Sequence, residues 1–403
     1  MRVTEIAQSE SSAAGGWRRL ACRVVFDDGG TSGLWFEWTG PGPVAAAGDA
    51  LLAVLLPCAL AVREDLRIDG AVSAPALATA RERVQPTLAR FHPGYGPVDI
   101  QASDVVDDAA LPPPARGVAA FYSGGLDSSY TLTRHRDRIT HLGFVHGLDL
   151  GMRWKEVRDQ ARADVAAIAS RFDLGMLDVA TRIRSGLYRE VQRRARACAD
   201  QRIRFLLEWS LGCLLAGLGQ LLSGSAGRLL IAGSWNERYE RATGSHPDLE
   251  PAWSTPRLAI ELDGVGVARP DKALYLAEHD PALLRGLRIC QARPLRTDNC
   301  GRCPKCLRLR MELRVAGIPP ELHPFDEPVD DGTLRRSFVK VDGYFWPEIL
   351  RRARARGDHE AARTAEIMME RRFHLGREIA RLRERRRHPG WQHLRRSSAP
   401  GGT

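Results

Sequence analysis

The stretch that decides the fold is "FYSGGLDSSYTL", residues 121–132. The apolar run "GVAAFYS" that leads into it is typical of a buried strand, and "SSYTLTRHR" after the glycines is typical of a helix. A turn from strand into helix leaves backbone N–H groups unpaired at the positive end of the helix dipole, so anions bind there. The sequence therefore predicts a phosphate-binding loop at the end of a strand.

The residue types in this loop suit that chemistry. Its two glycines let a phosphate approach the backbone closely, and its serine hydroxyls can donate hydrogen bonds. An aspartate beside an anion is unexpected unless it caps the helix, braces the loop or holds Mg²⁺. The spacing is not that of a Walker A motif, and a serine-rich turn capped by aspartate is the alternative. The candidate nucleotide-binding residues of the loop are Ser123, Gly124, Gly125, Leu126, Asp127, Ser128 and Ser129.

Strand and helix patterns alternate after the loop. They follow in the order "HLGFVHGLDL", "KEVRDQARADVAAIASRF", "MLDVATRI", "RIRFLLEWSLGCLLAGLGQLL" and "RLLIAGSW". Such alternation implies crossover connections, which predicts an α/β fold with a doubly wound parallel sheet. Ligands bind these sheets beyond the carboxyl ends of the strands, where the loop would lie.

Three regions are predicted along the 403 residues. Residues 1–111 mix strand-like pieces with the apolar run "ALLAVLLPCALAV", and we expect an N-terminal α+β domain of unknown role. The proline run "LPPPARG" marks a linker. Residues 117–312 then form the α/β domain, and residues 313–403 form a helical, arginine-rich extension.

The formal net charge of +10 is unevenly distributed, since residues 351–403 hold fifteen arginines against six acidic residues. Such a tail binds nucleic acid or forms a solvated helix, and the second is favoured. No apolar run reaches the ~18 residues of a membrane span, and the first seventeen residues lack the pattern of a signal peptide. We expect a cytoplasmic protein without a membrane partner, and allow for a homodimer.

A cysteine cluster is the second strong signal. Cys290, Cys300, Cys303 and Cys306 have the spacing C-x9-C-x2-C-x2-C, and four such thiolates can hold one tetrahedral zinc ion. A site closed by four cysteines leaves no open position, so it is predicted to be structural. An iron–sulfur cluster and a disulfide pair are the alternatives.

The S-G-G-x-D-S loop resembles that of the PP-loop ATP pyrophosphatases, and loop and cluster together resemble the 7-cyano-7-deazaguanine synthases of the queuosine pathway. The resemblance covers about residues 117–312. It implies an adenine nucleotide α-hydrolase-like fold with ATP, Mg²⁺ and Zn²⁺ as cofactors. It further implies adenylation of a substrate carboxylate with release of pyrophosphate, after which ammonia or an amine gives an amide or a nitrile.

The resemblance also assigns residues outside the loop. Gly233 matches a family glycine that follows a strand, and Lys272 matches a lysine at a helix start that would neutralise a phosphate. His246 and Asp248 occupy the place of a substrate motif of the family, although its tyrosine is absent. Independently of the resemblance, the predicted strand ends offer Asp149 for Mg²⁺ or ribose, with a turn-capping role as the alternative, His146 for adenosine or substrate, and Arg182 and Arg184 for a carboxylate or phosphate of the substrate or nucleotide. The candidates for catalysis are Ser123, Asp127, Ser128 and Lys272.

We therefore expect an ATP-dependent ligase that forms C–N bonds between a small carboxylate and ammonia or an amine. The added residues on both sides of the family region favour a larger acceptor. A tRNA-modifying PP-loop enzyme, acting by base thiolation or amidation, is one alternative, with only Cys198 and Cys213 available as further reactive thiols. A non-catalytic nucleotide-binding protein is the other.

Overall fold

The computed structural model describes residues 1–10, 16–41, 44–92, 95–198, 209–234, 244–290, 297–326 and 344–370. The strands are β1 (Arg2–Glu10), β2 (Trp17–Val25), β3 (Thr31–Thr39), β4 (Leu66–Ser73), β5 (Ile100–Val106), β6 (Gly117–Phe121), β7 (His141–His146), β8 (Gly175–Thr181), β9 (Ala226–Ala232) and β10 (Ala259–Asp263). The helices are α1 (Ala47–Val62), α2 (Ala74–Thr79), α3 (Gln85–Phe91), α4 (Leu126–His135), α5 (Lys155–Arg171), α6 (Leu187–Cys198), α7 (Leu211–Leu221), α8 (Arg269–His279), α9 (Pro281–Arg285), α10 (Pro304–Ala316) and α11 (Trp346–Ala355).

All ten strands belong to one sheet, in the order β10-β9-β6-β7-β8-β3-β2-β1-β4-β5. The five strands from β10 to β8 are mutually parallel, whereas β8–β3, β3–β2 and β2–β1 are antiparallel pairs. The predicted α/β class is confirmed, and the alternation predicted from β6 to β9 is present. Among the described residues, no helix has the length and apolar character that crossing a bilayer demands.

Helices cover both faces of the parallel strands, as the side chains of β6 show. Ala119 and Phe121 face one core with α1, α6 and α7, whereas Ala120 and Tyr122 face a second core with α4 and α5. Alternate residues of a strand point to opposite faces, so a strand that is covered on both sides is apolar throughout. This burial explains the continuous apolar run that precedes the glycine loop.

The first 111 residues share the sheet and the core of the following region. Strand β3 pairs with β8 through Phe36–Thr181 and Trp38–Val179, and one hydrophobic cluster contains residues from β1 to β9. The sequence patterns did not indicate this pairing, nor did they indicate β1, β4 or β10. The division of the chain at residue 111 stays a prediction, but the two sides of that boundary are joined by a continuous sheet.

Helix α1 explains the apolar run of the N-terminal region. All sixteen of its residues are buried, because it packs between strand β4 and helix α7. A helix that is apolar on every side belongs in a core. The packing against α7 is close, since a Cβ added to Gly217 would lie 2.8 Å from the carbonyl oxygen of Ala50.

The extension after the cysteine cluster is packed as far as it is described. Helix α11 and the helical residues 359–370 bury Ile349, Ala353 and Ala365 against α10. Arg352 forms a two-pronged ion pair with Asp271 of α8. This part of the extension is therefore more than the solvated helix that the charge pattern favoured. Ten of the fifteen tail arginines fall after residue 370 and lie outside the described residues.

Candidate functional site

The glycine loop connects β6 to α4 in the conformation that an anion site needs. Gly124 has a positive φ of 76°, which favours glycine at that position. Gly125 is the extended N-cap of α4 and contributes no side-chain cap. Among the described residues, a Cβ added to Gly124 would have one neighbour within 4 Å, the Cβ of Arg288 at 3.6 Å. In the same part of the chain no side chain caps the first-turn amides of α4, which a ligand could therefore use.

Two serines shape the loop. The hydroxyl of Ser128 donates to the carbonyl of Gly125 at 3.1 Å and accepts from the backbone N–H of Ser123 at 3.3 Å. The two hydroxyls of Ser123 and Ser128 are themselves 3.3 Å apart. Ser129 differs, because its buried hydroxyl contacts the hydroxyl of Tyr122 at 3.0 Å. Two hydroxyls are therefore grouped within the loop, and the third is engaged by Tyr122.

Asp127 is held by two cations of α8. Its Oδ1 accepts from Nζ of Lys272 at 3.1 Å, and its Oδ2 accepts from the guanidinium of Arg269. Burial alone would raise the pKa of this carboxyl, but the charges of Arg269 and Lys272 outweigh it and lower the pKa to about 2. The carboxylate thus braces α4 against α8, one of the three roles that the sequence left open.

Lys272 is completely buried at this brace. Its ammonium also donates to the carbonyl of Gly233, immediately after β9. The neighbouring Arg269 completes the network, because its Nε donates to Glu312 of α10 at 2.8 Å. The two cations connect the ends of β6 and β9 with helices α8 and α10. Lys272 and Gly233 were predicted from the sequence, but Arg269 was not, since its one signal was its position one helical turn before Lys272.

The loop lies at the point where the strand order reverses. From β6 the chain proceeds outward through β7 to β8, and then returns to β9 on the other side of β6. The carboxyl ends of β6 and β9 therefore form the crevice where open α/β sheets bind their ligands. Ser123 follows the first of these strands and Gly233 the second, so the predicted residues meet at this crevice.

Arg288 and Lys305 are further cations near the loop that sequence reasoning missed. The backbone N–H of Arg288 donates to the carbonyl of Gly124 at 2.8 Å, and its guanidinium donates to the carbonyl of Ser123 at 3.0 Å. The charge of Asp149, at the end of β7, acts on both cations. Asp149 is exposed, as a ligand-binding carboxylate would need to be.

Two other candidates at strand ends have protein partners. His146 is buried, and its Nε2 lies 2.9 Å from Asp178, which also accepts two hydrogen bonds from Arg162. Arg184 donates to the carbonyl of Leu148 at 2.7 Å and so fixes the loop after β7. Both contacts join the carboxyl end of β7, or the loop after it, to β8 or the residues that follow it.

His246 and Asp248 contact α3 of the N-terminal region. The ring of His246 meets the edge of Phe91 at 4.7 Å between centroids, and Asp248 pairs with Arg90 at 2.7 Å. Nearby, Glu250 is fully buried and accepts hydrogen bonds from Ser245 and from the backbone of His246. Burial raises the pKa of Glu250 to about 7. The structure thus places this segment against α3.

The four cysteines converge, as their spacing predicts. Their sulfur atoms all lie within 4.8 Å of one another, and the Cys300 and Cys306 sulfurs are 3.9 Å apart. A tetrahedral zinc ion with ~2.3 Å bonds to sulfur requires sulfur–sulfur edges of ~3.8 Å. Backbone N–H groups of Arg302 and Cys303 point at the Cys300 sulfur, which stabilises a thiolate. The cluster could therefore bind a metal ion such as zinc.

The cysteines outside the cluster do not support thiol chemistry. Burial raises the pKa of the Cys213 thiol to about 12, which keeps it protonated and unreactive. The side chain of Cys198 lies outside the described part of the chain. Thiolation by Cys213, one of the two cysteines that the tRNA-modifying alternative needs, gains no support from the structure.

A small cleft of about 20 Å³ opens beside Arg269, the partner of Asp127. Arg269 and Glu312 line it, together with Ser234, which follows β9, and the aromatic pair Tyr344 and Phe345. Glu312 is 1% exposed, and its Oε2 has no hydrogen-bond partner in the described part of the chain. A buried carboxylate oxygen of this kind favours a ligand that donates a hydrogen bond.

Comparison with known proteins gives no relative: no protein-family model matches the chain, and neither does any curated protein or solved structure.

Proposed function

We propose that the protein is an ATP-dependent enzyme of the PP-loop type that adenylates a carboxylate and transfers the acyl group to ammonia or an amine. The observation that carries the proposal is the glycine loop at the reversal of strand order, where the first turn of α4 has no side-chain cap among the described residues and the hydroxyls of Ser123 and Ser128 lie 3.3 Å apart. Amides and hydroxyls so arranged suit the pyrophosphate end of a nucleotide.

In the first step, a carboxylate oxygen of the substrate attacks the α-phosphorus of ATP. The bond between that phosphorus and the bridging oxygen to the β-phosphate breaks, and pyrophosphate leaves with the electron pair. The backbone N–H groups of the loop and the hydroxyl of Ser123 would stabilise the charge that grows on the leaving group, joined by the hydroxyl of Ser128 once it rotates away from the carbonyl of Gly125. Mg²⁺ bound to the phosphates would share that charge, and exposed Asp149 is the candidate protein ligand for it.

In the second step, the nitrogen lone pair of ammonia or an amine attacks the carbonyl carbon of the acyl adenylate. The bond from carbon to the adenylate oxygen breaks, AMP leaves with that electron pair, and the nitrogen loses a proton. The small cleft beside Arg269 would receive the donor group of the acceptor, because the unsatisfied Oε2 of Glu312 and the rings of Tyr344 and Phe345 line it. An N–H group on a planar acceptor would match these groups.

The cysteine cluster serves as a structural zinc site in this proposal. Four thiolates leave zinc no open position for water or substrate, so the ion acts by holding the chain. Cys290 lies two residues after Arg288, which is bonded to the glycine loop. Zinc would thereby fix one wall of the nucleotide site.

Ser128→Ala tests the proposal directly. Water can replace the carboxylate in slow turnover, so incubation with α-labelled ATP and Mg²⁺ should yield labelled AMP and pyrophosphate. Loss of one hydroxyl that faces transition-state charge should lower this rate about 10²- to 10³-fold. Asp127→Asn is a poorer probe, because it leaves Arg269 and Lys272 buried without their anion and threatens the fold.

Ser223→Ala is the matched control. Ser223 is equally buried and donates to a carbonyl three residues earlier, Gln220, as Ser128 does to Gly125. It precedes β9, at the opposite end of the sheet from the crevice. The control should keep the wild-type rate. Labelled ADP in place of AMP, or equal AMP formation by both variants, would refute the proposed reaction.

A further inference from the structure

The cations around the glycine loop differ in their availability to a ligand. Lys272 is completely buried and gives its hydrogen bonds to Asp127 and to the carbonyl of Gly233. Arg269 is divided between Asp127 and Glu312. Both charges are therefore balanced inside the protein, and a phosphate would have to compete with a buried carboxylate for them.

Lys305 is in a different situation. It is half-buried in the first turn of α10, and it forms no hydrogen bond or ion pair within the ranges that the structure covers. Two of the four clustered cysteines are close to it in sequence: Cys303 lies two residues before Lys305, and Cys306 follows it. A lysine whose ammonium forms no hydrogen bond or ion pair with the described residues keeps its hydrogen-bonding capacity for a ligand.

The packing of α10 directs Lys305 toward the loop. Lys305, Arg308 and Glu312 are spaced i, i+3 and i+7, so they lie on one face of the helix. Glu312 on this face bonds Arg269, which in turn bonds Asp127 in the first turn of α4. Asp127 lies two residues after the second glycine of the loop, so this face of α10 is linked through Arg269 to the loop.

The loop and the cluster are also joined through the backbone. Arg288 hydrogen-bonds Gly124 and Ser123, and Cys290 follows two residues later. Asn299, the residue before Cys300, fixes this segment. Its side-chain oxygen accepts hydrogen bonds from the N–H groups of Ile289 and Cys290. The position of Lys305 relative to the loop is thus set by the same short segments that bring the cysteines together.

We propose that Lys305 completes the anion site of the glycine loop and binds the outer phosphate of a pyrophosphate-bearing ligand. The segment of the cysteine cluster then supplies Lys305 as the cation that the loop residues themselves lack. Lys272 and Arg269 cannot take this role as readily, because they form ion pairs with Asp127 and Glu312. The inference rests on the proposed function and assigns the phosphate contact to Lys305 rather than to Lys272. Lys305 is an anion-binding residue in this role and forms no covalent bond.

The test is the affinity of the metal-loaded protein for inorganic pyrophosphate, measured by titration calorimetry. Lys305→Met should weaken binding about 10- to 100-fold, the usual worth of a charge-assisted hydrogen bond. Lys305→Arg keeps the charge and should recover a large part of the affinity. Lys155→Met is the matched control, because Lys155 is an exposed lysine at the start of α5 that pairs with Asp159.

Metal content is measured on every variant. Weakened binding by Lys305→Met with wild-type metal content, recovery in Lys305→Arg and no change in Lys155→Met would support the proposal. Unchanged affinity in Lys305→Met would overturn it and leave the proposed function standing, provided that Ser128→Ala binds pyrophosphate weakly. Equal losses in Lys305→Met and Lys155→Met would also overturn it. If the wild-type protein binds no pyrophosphate, both proposals fail together.

Discussion

The two halves of the ten-stranded sheet use their residues differently. In the parallel half, from β10 to β8, the strands end in polar loops. The ion pairs of Asp127, the crevice and the cysteine cluster all belong to this half. The other half, from β3 to β5, chiefly packs the apolar helix α1. Candidate chemistry is thus concentrated at the carboxyl ends of one set of strands, and the second set contributes mainly buried surface. Variants in each half should therefore fail in different ways.

Cys303→Ser should have the largest effect. The purified protein is expected to contain about one equivalent of zinc, and this variant should lose it together with much of its thermal stability, because metal binding and folding are coupled. Cys22→Ala, a buried cysteine of β2 in the other half, should keep the metal. Metal analysis by mass spectrometry decides the matter. Iron with visible absorbance, or no metal in the wild-type protein, would contradict a zinc site.

Leu55→Ala tests the packing half. Leu55 is fully buried in α1, so its truncation should cost about 2–5 kcal/mol of the free energy of unfolding, as other buried leucines do. Pyrophosphate affinity of the folded protein should not change. Leu274→Ala, at a leucine of α8 that is 39% exposed, is the control and should cost far less. Denaturant unfolding and calorimetry measure the two quantities. A loss of affinity in Leu55→Ala would break the division between the halves.

Glu250→Gln should stabilise the protein above neutral pH. The pKa of Glu250 is about 7 in the folded protein and about 4.3 in an unfolded chain, since burial disfavours its charge. The contribution of Glu250 to the free energy of unfolding is most favourable below pH ~4.3 and is lost as the pH rises through 7. The free energy of unfolding changes by about 3–4 kcal/mol over this range. The glutamine amide of the variant does not titrate. The free energy of unfolding of the variant should therefore depend less on pH between pH 5 and 8 than that of the wild-type protein. An identical pH dependence of the two proteins would contradict the burial argument.

Deletion of residues 371–403 should have the smallest effect. The core that the extension forms with α10 uses residues before this point, such as Ile349 and Ala365, so unfolding and pyrophosphate affinity should stay unchanged. A deletion from residue 344 onward, which removes Phe345 and α11, should lower both. Binding of tRNA at increasing salt is the further measurement. A steep salt dependence that disappears with the shorter deletion would show that the arginine-rich tail binds nucleic acid.

Local patterns in the sequence were sufficient for β6 to β9 of the parallel half, but not for its edge strand β10. Strand and helix periods, the glycine loop and the cysteine spacing all depend on neighbouring residues, and the structure contains each of them. The partners of Asp127 were beyond prediction, because they depend on how α4 packs against α8 and α10. Arg288 and Lys305 were missed for the same reason, since a single basic residue has no pattern. The β3–β8 pairing joins Phe36 to Thr181, far apart in the chain, which no local period can indicate.

That pairing has a consequence for the order of synthesis. Residues of β3 leave the ribosome long before β8 is synthesised. Until then, the backbone groups of β3 that pair with β8 have no partner strand. A fragment that begins after the proline run would have the converse defect, because β8 would then expose its own unpaired edge to other chains. Expression of the parallel half alone should yield a self-associating product, although that half holds the entire candidate site.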